Sequence, residues 1–118
     1  MKNGNGHIRS ILRKVENHES LMGVDLRNLY LSCIDLSNLD LRGANFEGCR
    51  LSQATMDGSD LSGANLVNTY LANTSFKDSN LSGALFTGAV VGGADFSGAK
   101  GLSPDVKNYP RLKGGIGL

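Results

Sequence analysis

The sequence predicts an all-β solenoid, a chain that turns a corner every five residues and stacks square coils on one another. Three observations carry that prediction. Large apolar residues recur at a step of five without a change of phase. They run Leu21, Leu26, Leu31, Leu36, Leu41, Phe46, Leu51, Met56, then Leu61, Leu66, Leu71, Phe76, Leu81, Phe86, Val91 and Phe96. At 40% apolar composition, chance would fill sixteen such positions less often than about once in a million. Two residues before each centre, from position 44 onward, the side chain is always small: Ala44, Cys49, Ala54, Ser59, Ala64, Thr69, Thr74, Ser79, Ala84, Ala89 and Ala94. Turn-forming residues fill the gaps. Asp or Asn precedes the centre at Asp35, Asp40, Asn45, Asp60, Asn65, Asn80 and Asp95, and Gly follows it by two at eight places from Gly43 to Gly98.

A period of five suits neither a helix, whose apolar step is near 3.6, nor a flat strand, whose step is 2. It does suit a chain that bends at every fifth residue, with the centre and the small residue inward and the other three outward. Asp, Asn, Ser and Gly are the residues tight turns favour. Four sides close a coil of twenty residues, and stacked coils pair at about 4.8 Å. Residues twenty apart therefore stand in columns.

The elements follow in chain order. Residues 1–6 are expected to be a flexible N-terminus. Residues 7–20 read as an amphipathic capping helix, with Ile8, Ile11, Leu12 and Val15 inward and Arg9, Arg13, Lys14 and Glu16 outward. Val24, Leu29, Ile34 and Leu39 are large at the otherwise small inward position, a ring suited to receive that helix. Glu19 is wrong for a core, which places the start of regular winding near Val24. Residues 21–100 form the repeat, about four coils. Residues 101–118 read as a short C-terminal cap and tail, with Ser103 as N-cap, Pro104 as first helical residue and Asp105 at the positive helix end. Val106, Tyr109 and Leu112 would cover the last coil.

At these residues the chain resembles the pentapeptide-repeat family, whose motif is A(D/N)LXX. The resemblance covers about residues 21–100 and implies a right-handed quadrilateral β-helix. Its best-understood members are DNA mimics, strongly acidic rods that occupy the DNA-binding saddle of gyrase, some of which protect against quinolones. Many others, often cyanobacterial, have no assigned role. The resemblance implies a bacterial, non-enzymatic protein.

Composition narrows the choice. The 118 residues suit one domain. No apolar run approaches the ~18 residues of a membrane span, and the N-terminal stretch is too polar for a secretory signal. A net charge of +1 gives no general pull toward nucleic acid or membrane. Cys33 and Cys49 suit a reducing compartment, one pointing outward and the other inward. A cytoplasmic location is expected, with no cofactor and no metal.

Catalytic chemistry finds little support. His7 and His18 both precede the repeat, which leaves its serines without a base. Gly4-Asn5-Gly6 ahead of the helix resembles the opening of a phosphate loop but lacks a third glycine and a preceding strand. Surface columns remain. One reads Tyr30, Arg50, Tyr70, Val90, an arginine one coil from each of two tyrosines, as a partner-binding face would have. The other candidate is an acidic stripe of Asp35, Asp40, Asp57, Asp60, Asp78 and Asp95, opposed by Arg42 and Lys77. Residues 20–100 hold eight acids and five bases, a net charge of −3. A duplex carries more than ten charges over 20 Å, so the stripe is a weak imitation. The expected function is a non-enzymatic interaction or scaffold module that binds a protein, as a monomer or weak homodimer, without direct nucleic-acid or membrane contact. The alternative is a DNA-mimic inhibitor or protector of gyrase, another topoisomerase or a defence nuclease.

Overall fold

The computed structural model describes residues 4–102, with side chains from residue 7 onward. A single helix, α1 (Gly4–Glu16), precedes a run of coils. Parallel bridges join residues twenty apart in four columns: 25, 45, 65 and 85; 30, 50, 70 and 90; 35, 55, 75 and 95; 40, 60, 80 and 100. One circuit therefore takes four sides of five residues.

Backbone hydrogen bonds account for both the corner and the stacking. Leu21 C=O accepts from Val24 N–H across a four-residue turn, and the same bond recurs at nearly every later side. The third residue of each turn has φ between 57° and 74°, as in Gly23, Asn28, Asn68 and Gly88. That positive φ is the mark of a type II turn and favours Gly or Asn. Each centre also donates its N–H to the carbonyl nineteen residues on, from Leu21 to Asp40 through Leu81 to Lys100, at 2.7–2.8 Å. Strand ladder and turn thus share the same five residues.

All sixteen apolar centres and all eleven small residues from Ala44 to Ala94 are buried. The small position admits a hydroxyl because a carbonyl lies within reach: Thr69 donates to Leu66 O and Ser79 to Phe76 O, while Thr74 crosses to Leu51 O of the coil below, each at 2.7 Å. The Cys49 thiol donates to Leu26 O at 3.1 Å, and burial pushes its pKa up to about 11. Phe76 and Phe96, one coil apart, stack at 5.1 Å, and Phe86 meets both edge-on.

Several expectations at the ends need correction. α1 begins at Gly4, so Gly4-Asn5-Gly6 is helical backbone, neither a flexible terminus nor a loop ahead of a helix. The helix stops at Glu16, and His18 already has the positive φ of a corner. Ile11 is buried and Val15 packs on the core, but Leu12 is 42% exposed, since the helix meets the coil over a narrower stripe than expected. Winding starts at Leu21 rather than Val24, because Leu21 is buried and already donates to Asp40 O, while Glu19 stays exposed. Val24, Leu29 and Ile34 are partly buried against the core, and Leu39 is fully buried. The readings on Ser103, Pro104, Asp105, Val106, Tyr109 and Leu112 lie outside the described residues.

A second rule of the stack is hidden in the columns. The side-chain oxygens of Asn28, Asn38, Asn68, Asn73 and Asp78 each lie where a Cβ would stand on the residue one coil later, and that residue is Gly48, Gly58, Gly88, Gly93 and Gly98 in turn. At Gly63 a Cβ would meet nothing. Gly88→Ala should therefore destabilise more than Gly63→Ala, whose cost is the left-handed backbone alone, about 1–2 kcal/mol. Asn68→Ala should narrow the gap in a denaturant double-mutant cycle. Leu61→Lys, an unpaired charge among buried leucines, should abolish cooperative unfolding as followed by circular dichroism.

Candidate functional site

The position just before each centre is where the side chains that face solvent are set by the bridge columns. On three of the four faces this position serves the turn at eight of its twelve places, the exceptions being Thr55, Ser75, Leu85 and Lys100. Asp25, Asp35, Asp40, Asn45, Asp60, Asn65, Asn80 and Asp95 each accept, through Oδ1, the backbone N–H two residues later, at 2.9–3.3 Å. The carboxylate or amide ties the outgoing strand to the turn, an Asx arrangement.

Most of the acidic stripe is engaged in this way. Arg42 clamps Asp40 through Nε and a terminal nitrogen at 2.8 and 2.7 Å, and Ser20 Oγ donates to the same carboxylate. Asp60 accepts from Ser62, and Asp95 accepts from Ser97 with Lys77 Nζ at 3.7 Å. Asp57 accepts from Ser75 Oγ and Lys77 N–H, Asp35 accepts from Ser37, and the Asp78 side chain lies against Gly98. Asp35 and Asp95 stand at opposite ends of one column, separated by Thr55 and Ser75. The stripe is thus largely a set of turn and coil supports, with Asp40 and Asp95 each beside a cation, rather than a row of free charges.

The fourth face is built differently. Tyr30, Arg50, Tyr70 and Val90 are bridged in succession, and none is Asp, Asn, Ser or Thr. The Arg50 Cζ lies 4.8 Å from the Tyr30 ring centre and 4.7 Å from that of Tyr70, so the guanidinium is held between two rings. Tyr30 is 74% exposed, Tyr70 43% and Val90 48%. Beside them runs an open groove of about 480 Å³ flanked by Arg27, Asn28, Glu47, Gly48 and Asn68. The structure therefore brings all four residues of the tyrosine column together. The groove flank was not foreseen. Its signal is the alternation Asn28, Gly48, Asn68, Gly88, visible once positions twenty apart are compared.

Among the described residues no three His, Cys, Asp or Glu side chains gather as metal ligands, and no helix is long and apolar enough to cross a membrane. Cys33 is exposed and donates to Gln53 Oε1 one coil on, whereas Cys49 is buried. His7 Nε2 lies 2.8 Å from the carbonyl oxygen of Asp25 and joins α1 to the first coil.

A family model described as pentapeptide repeats matches residues 20–58 and 64–100 in 8 copies. Among solved structures, a pentapeptide repeat protein from Nostoc Pcc 7120 is 29% identical, with 77% of each chain covered and a TM-score of 0.68. HetL, a pentapeptide repeat protein involved in heterocyst differentiation regulation in Nostoc sp. strain PCC 7120, is 23% identical over 70% of this chain and 48% of its own, with a TM-score of 0.45. QnrB1, a plasmid-mediated fluoroquinolone resistance protein, is 24% identical over 67% of this chain and 49% of its own, with a TM-score of 0.32. No curated protein matches the chain.

Hydrogen bonds to the turn aspartates make stability depend on acid. The Arg27 guanidinium beside Asp25 holds its carboxyl at about 2, Arg42 holds Asp40 lower still, and Ser37 and Ser97 depress Asp35 and Asp95. A depressed folded-state pKa contributes stability that is complete above the ordinary value of 3.8 and is lost as pH falls through the folded value. The melting temperature should hold from neutral pH to about pH 5 and fall between about pH 4 and pH 2. Asp40→Asn keeps an acceptor for the turn without the charge for Arg42, and should show a shallower fall over that acid range.

Proposed function

The chain belongs to the pentapeptide-repeat family, and from the surface its coils present we propose a non-enzymatic module that binds a protein partner through Tyr30, Arg50, Tyr70 and Val90. One observation carries this reading: no residue of that face carries the turn acceptor that eight of the twelve equivalent positions on the other three faces keep. Each such bond forgone is worth about 1 kcal/mol. In its place stand two exposed rings with an arginine between them, the residue types that concentrate at binding hot spots. An arginine fixed from solution loses about 2 kcal/mol of rotamer freedom. Here the rings have already restricted it, which favours a partner that meets a formed surface.

On this reading residues 21–100 are four coils, and α1 caps the first through Ile11, Val15 and the His7 contact to Asp25. The coils are a scaffold that holds the face rigid. DNA mimicry is the weaker reading, since Asp40, Asp57, Asp60 and Asp95 already serve the turns or neighbouring cations. The net charge of −3 over residues 20–100 falls far short of a duplex.

Affinity capture from a bacterial lysate, eluted with duplex DNA and then with denaturant, tests the proposal. A partner should resist DNA, depend little on salt, and bind the folded Tyr70→Ala variant about tenfold or more weakly. Undiminished capture by Tyr70→Ala would sink the tyrosine face, and release by duplex DNA would favour mimicry instead.

A further inference from the structure

We infer that the face receives a carboxylate: the N–H edge of Arg50 takes an aspartate or glutamate side chain of a protein partner. This inference rests on the interaction face proposed above. The coils contain three arginines, and two of them are occupied. Arg27 and Arg42 each spend Nε and a terminal nitrogen on the aspartate two residues earlier, Asp25 and Asp40. Two residues before Arg50 stands Gly48, which offers no carboxylate. Among the described residues the Arg50 side chain makes neither an ion pair nor a hydrogen bond, only its two ring contacts.

The geometry of those contacts decides what remains. Rings at 4.8 and 4.7 Å restrict approach to the two faces of the guanidinium, so its in-plane donors are what it presents to a partner. A planar fork of N–H donors matches a carboxylate or phosphate through two parallel bonds. The surroundings select between the two. Glu47 borders the same groove, Asp25 lies beside Arg27, and the coils carry a net charge of −3. A polyanion laid along the groove would meet these acids. A single carboxylate among uncharged neighbours would not, and Tyr70 and Val90 offer those neighbours apolar contact.

The test uses the intact protein and a displayed library of random dodecapeptides. Selected peptides are remade with each Asp or Glu changed to Asn or Gln, and binding is measured to wild type, Arg50→Lys, Arg50→Gln and Tyr70→Ala, all checked for unchanged melting temperature. The expected peptides carry an acid, and its conversion to the amide weakens binding about tenfold or more. Arg50→Lys should lose a similar factor, because lysine keeps the charge and lacks the fork. Peptides that need Tyr70 but tolerate both the amide change and Arg50→Gln would overturn the carboxylate and leave the face standing. Peptides indifferent to Tyr70→Ala, or no selected peptide at all, would overturn both. Displacement by a short DNA duplex or by a phosphorylated peptide in preference to its acidic parent would assign the fork to phosphate instead.

Discussion

Every fifth residue of the coils must hold a left-handed backbone, and most of the structure depends on that corner. The positive φ at Gly23, Asn28 and their successors lets the chain turn without lengthening the side. A side of fixed length brings the twentieth residue over the first, which is what allows Leu21 N–H to meet Asp40 O and Leu81 N–H to meet Lys100 O. The same corner decides the composition. Gly and Asn adopt left-handed φ at least cost, and Asp or Asn at the preceding side supports the strand that enters the turn. Cys33 and Gln53, at φ 65° and 64°, are tolerated departures stacked in one column.

The core was readable because burial is enforced at one fixed step. Any residue five from Leu61 faces the axis, so the apolar pattern alone located all sixteen centres and the small positions beside them. The ends were less readable because the step stops there. The residues of α1 follow a helical period over fewer than four turns, and Leu12 satisfies that period while facing solvent. The start of winding reads too late in the sequence, near Val24, for a similar reason: Glu19 argues against a core at its own position, but the ladder bond of Leu21 begins two residues later. The dependence of Gly48 and Gly88 on Asn28 and Asn68 could not be seen along the chain, since it links residues twenty apart through side-chain oxygen and missing Cβ.

The candidate site divides along the same line. That Tyr30, Arg50 and Tyr70 share a column follows from the twenty-residue circuit, and their stacking follows from coil spacing. Whether an aspartate is free or engaged does not follow from its column. Asp40 and Asp60 stand one coil apart, which would cost stability if both were bare. Arg42 beside Asp40 and Ser62 beside Asp60 come from sequence neighbours two residues away, so local turn chemistry sets their state.

A solenoid of this kind gives each position of its repeat a different task. Centre and small residue supply the core, the corner supplies the turn, and the position before the centre carries the parallel bridges between coils. On three of the four faces that position is tied to the turn by a carboxylate or amide at eight of twelve places. The tyrosine face gives up that tie in every coil, while its backbone ladder persists, with Arg50 N–H on Leu29 O and Tyr70 N–H on Cys49 O. Its side chains are thereby released from holding the turn, and Arg50 stacks between Tyr30 and Tyr70 instead.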